Sequence, residues 1–177
     1  RASIRAFSAL GTVLLMVGGT PASDVAEDFR GVQFIGFTKF SDFSRSVSHQ
    51  PQECILLSPE IQTAVCWDEL VPSWNISAGC TAGLKIEVRP ISDQVQFPFY
   101  TLGLWSTETN RHPRKSVSSQ SDAQASVLTD TLALKKRSRG LQLRLTLSGS
   151  TNTSDLKFVG VCVRDSLYTP FPLQPCR

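Results

Sequence analysis

Several stretches of the chain place an apolar residue at every second position, the period of a strand with one face packed and one face wet. The clearest is "GLKIEVRP" (83–90), where Leu84, Ile86 and Val88 share one face and Lys85, Glu87 and Arg89 the other. "GLQLRLTLSG" (140–149) repeats the pattern, setting Leu141, Leu143, Leu145 and Leu147 against Gln142, Arg144 and Thr146. "FRGVQFIGFTKF" (29–40) comes close to alternation, and "CILLS" (54–58) and "IQTAVCW" (61–67) suit two short strands joined at Pro59. "QVQFPFYTLGLWST" (94–107) continues in extended style, with Pro98 and Gly103 marking an edge, bend or bulge. "SVLTDTLALKK" (126–136) pairs with 140–149 as two strands around "RSRG" (137–140). "LKFVGVCVRD" (156–165) is nearly continuous in apolar character, which predicts a central strand.

The intervening segments 41–53 and 108–125 are polar and read as loops. Seven or eight short strands separated by turn signals predict an all-β fold, an antiparallel β-sandwich or jelly-roll-like single domain over residues 28–165. The tail "SLYTPFPLQPCR" (166–177) holds three prolines in twelve residues and reads as a linker.

"CWDELVPSWN" (66–75) interrupts this alternation with two tryptophans, two acids and a proline. It reads as a structural corner: a strand ends, Pro72 stops pairing and Trp67 and Trp74 pack. Glu69 or Asn75 ties down backbone groups.

Composition sets bounds on function. The 177 residues are 41% hydrophobic and 19% charged, enough for one domain with a core of reasonable size. A net charge of +3 is too mild to argue for nucleic acid. "RHPRK" (111–115) and "KKRSR" (135–139) sit beside turn-like sequence and read as solvated loop tips, with heparin-like or acidic-surface binding as the alternative.

The N-terminus, "RASIRAFSALGTVLLMVGGTPAS", has the form of a secretory signal: basic Arg1 and Arg5, an apolar run from Ala6 to Gly19, and small residues placing cleavage after Ala22. That run is too short to span a bilayer comfortably, so no stable membrane span is expected. Secretion makes disulfides the natural reading of Cys54, Cys66, Cys80 and Cys162, with Cys176 the odd cysteine of five. Two sequons, at Asn75 and Asn152, are candidate glycosylation sites.

Little in the chain promises chemistry. His49 and His112 form no metal-ligand pair, the cysteines have no C-x-x-C spacing, and no G-x-S-x-G elbow is present. A Cys66–His49 pair is formally possible, yet Cys66 in a strand of a secreted domain reads more simply as a disulfide or packed thiol. Asp68 and Glu69 are adjacent and would face opposite ways along a strand. No catalytic residue, metal or cofactor is expected. Aromatics allow binding instead: Tyr100 and Trp105, with Trp74, could form a stacking platform for a sugar or peptide.

"WDELVPSWN" (67–75), "GLKIEVRP" (83–90), "FYTLGLWS" (99–106), "SVSSQSDAQASVLTDTLAL" (116–134) and "LQLRLTL" (141–147) occur in one order. Over residues 63–165 they resemble the domain that precedes the catalytic domain in secreted proteins of cysteine-peptidase family thirty-nine, the bacteriocin-processing-like group. The resemblance implies an N-terminal β-sandwich, a linker and then a papain-like domain with a cysteine nucleophile. No nucleophile motif of that kind occurs here, so no catalytic residue carries over. The resemblance implies a non-catalytic accessory domain that positions a peptidase on a substrate or surface, in a fragment of a longer protein. Its expected partners are that C-terminal peptidase domain and an extracellular polysaccharide or protein substrate. The alternative is a free-standing, extracellular lectin-like protein that binds carbohydrate or peptide.

Overall fold

The computed structural model describes residues 30–47, 52–77, 80–117, 119–150 and 152–169. Among them eleven strands and one 3-10 turn (Thr153–Asp155) form, with no α-helix. In chain order the strands are β1 (Val32–Phe37), β2 (Ser44–Val47), β3 (Glu53–Leu57), β4 (Ile61–Ile76), β5 (Gly83–Ile91), β6 (Tyr100–Trp105), β7 (Lys115–Ser116), β8 (Gln120–Ser121), β9 (Ala125–Leu128), β10 (Thr131–Ser148) and β11 (Leu156–Arg164). All pair antiparallel, so the all-β expectation holds. The N-terminal segment read as a signal, His49 and Cys176 lie outside the described residues.

The 18-residue β10 links the whole fold. Its first residues pair with β9 on one side and with Glu69 and Leu70, midway along β4, on the other. Its last residues pair with β5 and β3. One strand thus serves two layers, as strands do at a sandwich corner. The first layer runs β8-β9-β10-β4-β11-β1 and the second β2-β3-β10-β5-β6-β7.

The switch falls between Ala133 and Gly140, where the β4–β10 register shifts. Buried Ser138 holds the bend: its Oγ lies 2.6 Å from the Ile91 carbonyl oxygen and accepts from the Gly140 N–H at 3.2 Å. Gly140 is closely packed, since a Cβ there would stand 3.1 Å from that of Ile91 and would press on it. "RSRG" is therefore a bend inside one strand, correcting the expected turn between two. The actual hairpin turn is Thr129–Asp130, with Thr129 at φ 64° and Leu128 paired to Thr131.

The core lies between the layers and draws on both. Leu84, Ile86 and Val88 of β5 and Leu141, Leu143, Leu145 and Leu147 of β10 are buried, on the face that alternation assigned them. Trp67, Leu70, Val159, Val161 and Val163 come from the other layer. β11 lies between β1 and β4, as its apolar run predicted.

The corner read at 66–75 is also corrected. β4 continues through it to Ile76, and Pro72 pairs with Val161 of β11. β10 accompanies β4 only as far as Leu70, so Pro72 sits where the strand is paired on one side, a position proline tolerates. Trp67 is buried in the core, and its Nε1–H has no protein acceptor among the described residues.

Candidate functional site

Trp74, near the end of β4, and Trp105, at the end of β6, belong to different layers and meet at the open edge of the sandwich. Gly103 makes the approach possible: a Cβ there would lie 3.0 Å from Cη2 of Trp74. The two indoles line a cleft of about 340 Å³ with Leu102, Gly103, Leu104, Arg114, Lys115, Ser116 and Asp130. Arg114 stands over the Trp105 ring with its guanidinium carbon 6.0 Å from the centroid, a cation–π arrangement. Asp130 comes from the β9–β10 turn, so both layers contribute polar groups.

The segment carrying Arg114 is fastened rather than free. Glu108 O accepts from the N–H groups of Arg111 and His112, both at 3.0 Å, and the Glu108 carboxylate pairs with Arg111 at 3.2 Å. His112 packs against two glycines: a Cβ at Gly83 would stand 2.8 Å from that of His112, and one at Gly149 would stand 2.9 Å from its Nε2. The "RHPRK" stretch is thus pinned over the starts of β5 and the end of β10. Its cations keep their exposure while losing their freedom. "KKRSR" occupies the bend of β10, where Lys135, Lys136 and Arg137 stay exposed.

Tyr100 leaves the candidate list. It is buried, and its hydroxyl donates to Asp122 at 2.7 Å. Asp122 also accepts from the N–H groups of Gln124 (2.7 Å) and Ala125 (2.9 Å), so the pair latches β6 to the turn before β9. Burial and then the Asp122 carboxylate raise the Tyr100 hydroxyl's pKa. Burial works against the Asp122 charge, but the donors from Tyr100 and the backbone outweigh it and hold the carboxyl below its usual range. Sequence reasoning grouped Trp74 with Trp105 and missed the groups around them, Arg114, Ser116 and Asp130. Nothing in a lone Gly103 or in Asp130 announces that two layers converge there.

The remaining candidates scatter. Glu69 pairs with Arg164 at 3.2 Å. Asp68 accepts from the Ser166 N–H (2.8 Å) and hydroxyl (2.6 Å). Of the two acids of "CWDELVPSWN", Glu69 thus ties the end of β11 to β4 and Asp68 fastens the segment that follows. Asn75 is exposed on β4, and exposed Asn152 caps the 3-10 turn, accepting from Ser154 N–H at 3.0 Å.

Among the described residues Cys54, Cys66, Cys80 and Cys162 are free thiols, and no bridge joins any two of them. The register explains one pair. Cys162 sits opposite Val71, five residues along β4 from Cys66, which at about 3.3 Å per residue is roughly 16 Å and beyond disulfide reach. Cys54 faces the core opposite Leu147. Burial pushes the Cys80 thiol's pKa up, with Asp155 adding to it.

The Trp74–Trp105 cleft offers contact rather than bond breaking. Its lining holds one hydroxyl, Ser116, and one carboxylate, Asp130, with no histidine beside them. Among the described residues no three of His, Cys, Asp and Glu gather as a metal site would require.

Compared with known protein families, the chain matches a model described as the peptidase C39 N-terminal domain over residues 32–163, from the start of β1 nearly to the end of β11. No curated protein and no solved structure matches it.

Proposed function

The chain belongs to the peptidase C39 N-terminal domain family, and on that premise we propose that it is a non-catalytic accessory module of a secreted papain-like cysteine peptidase. It positions that enzyme on a protein or surface. The family match carries this reading, because it covers the β-domain almost from first strand to last. The signal-like N-terminus supports export, and the cleft supplies contacts for whatever the module holds.

The test is the native, full-length gene product. The reading expects a mass well above the 19.4 kDa of these 177 residues and a peptidase activity abolished by thiol alkylation. A product of this size with no peptidase activity would contradict it.

The cleft itself favours a second reading, a free-standing binder of carbohydrate or peptide. Two indoles with a cation over one of them form a stacking platform in a volume suited to one sugar ring or two side chains. Retention of the product on a polysaccharide matrix, weakened by Trp105→Ala without loss of fold, would support it.

A further inference from the structure

We propose that the outer face of the β8-β9-β10-β4-β11-β1 layer is the docking surface for the peptidase domain borne on the same polypeptide. The proposal rests on the accessory-module reading above.

Registers define the face. Leu128 of β9 pairs with Thr131 of β10, and Thr131 is one step from the Leu132–Leu70 pair, beside Val71 of β4. Val71 pairs with Cys162 of β11, which pairs with Phe34 of β1. A single row, Leu128-Thr131-Val71-Cys162-Phe34, thus crosses five strands, roughly 20 Å at the usual strand spacing. Its three largest members are 62%, 41% and 60% exposed, in the order Leu128, Val71 and Phe34. Val32 adds 43% in the next row.

Phe158 lies stacked near Phe34, centroids 6.0 Å apart, where Gly36 and Gly160 leave room for both rings. A Cβ on Gly160 would come within 2.7 Å of each ring. The aromatic pair is therefore seated on bare backbone and cannot sink into the core.

The exposed large hydrophobics of the described residues are Val32, Phe34, Val71, Leu128, Leu167 and Tyr168. The first four share this face, and the last two lie in the segment that leaves its edge. Concentration on one face is what marks an interaction surface, whereas scattered exposure is ordinary.

The exit segment points to the occupant. Asp165 N–H donates to Gly31 O at 2.8 Å, Tyr168 lies against Gly31, and Asp68 grips Ser166. Asp165 also pairs with Arg137 at 3.0 Å. These bonds deliver the continuing chain beside Val32, at the edge of the apolar row.

Size favours a tethered partner over a second copy. A handful of side chains is well short of the roughly 800 Å² per partner that a standalone complex buries. A domain on the same chain is presented at about millimolar effective concentration and needs far less.

The full-length product, two variants of the row and one control variant test this, with cleavage of the 170–177 segment by an added protease as the readout. Phe34→Asp and Leu128→Asp are both expected to speed that cleavage about tenfold or more by undocking the domains. Arg111→Asp, far from the row, is expected to leave it unchanged. Unchanged cleavage in both variants would overturn the docking while leaving the accessory-module reading intact. A concentration-dependent dimer that Phe34→Asp dissolves would overturn it too, assigning the face to a second copy. So would a glycan on Asn75, which pairs with Phe158 on this face and would crowd it. A product with no peptidase domain would overturn both readings and is told apart by its mass alone.

Discussion

The two outer faces of the sandwich are built on the same alternating pattern yet dress it in opposite ways. On the β3-β10-β5-β6 layer the outward row is Leu57, Arg144, Glu87 and Thr101. Arg144 grips Glu87 through Nε (2.7 Å) and a second nitrogen (2.9 Å), and Lys85 stands 3.4 Å from the same carboxylate. Phe99 folds back over the cluster, its ring 4.0 Å from the Arg144 guanidinium carbon and 5.0 Å from that of Arg89. Gln142 donates to Ser58 O at 2.8 Å and accepts from Arg89.

This face has covered itself with its own side chains, so Glu87 is only 4% exposed although it points away from the core. The opposite face carries Phe34, Val71 and Leu128 with nothing over them. A polar outer row can close on itself through hydrogen bonds. An apolar outer row closes only against another surface.

That contrast orders the expected effects of substitution. Glu87→Ala should cost the most, about 2–3 kcal/mol in urea denaturation. That is less than a fully buried pair would lose, because Arg144 stays partly in water. Tyr100→Phe should cost about 1–2 kcal/mol by cutting the bond to Asp122, with no effect on ligand retention by the Trp105 cleft.

Acid should act on the charged face before the bare one. Burial raises the Glu87 carboxyl's pKa, but the hydrogen bond from Arg144 and the Lys85 and Arg144 charges outweigh it and hold it low. A carboxyl lowered on folding stabilises fully above its unfolded pKa, about 4.3, and loses that contribution as pH falls through the folded value. Thermal midpoints should therefore be level from pH 7 to about 5 and fall below about 4, less steeply in Glu87→Gln. Phe34→Ser or Leu128→Ser should change stability least, within about 0.5 kcal/mol, because these side chains bury little within the domain.

Much of the architecture was legible because alternation reports burial directly. Leu84, Ile86 and Val88 went where their spacing put them, and β11 is interior as its apolar run required. What alternation hides is how faces combine. β2, β7 and β8 are short polar strands that look like loops. The Thr129–Asp130 turn carries no glycine or proline, whereas "RSRG" looks like a turn and is a bend, because Ser138 satisfies the backbone there.

The site was half legible for the same reason. Trp105 is conspicuous as an aromatic in a polar setting, and Tyr100 is equally conspicuous but finds its partner in Asp122 inside the domain. The apolar row was invisible. Leu128, Val71, Cys162 and Phe34 lie far apart in sequence and become neighbours only through register.

Hydroxyl-radical footprinting of the native full-length product compares the apolar face with the Trp105 cleft in one experiment. The account predicts that Phe34 and Leu128 are labelled far less than their 60% and 62% exposure in this domain implies, while partly buried Trp105 is labelled as its exposure in this domain implies. Full labelling of Phe34 and Leu128 in a product that carries its peptidase domain would contradict it.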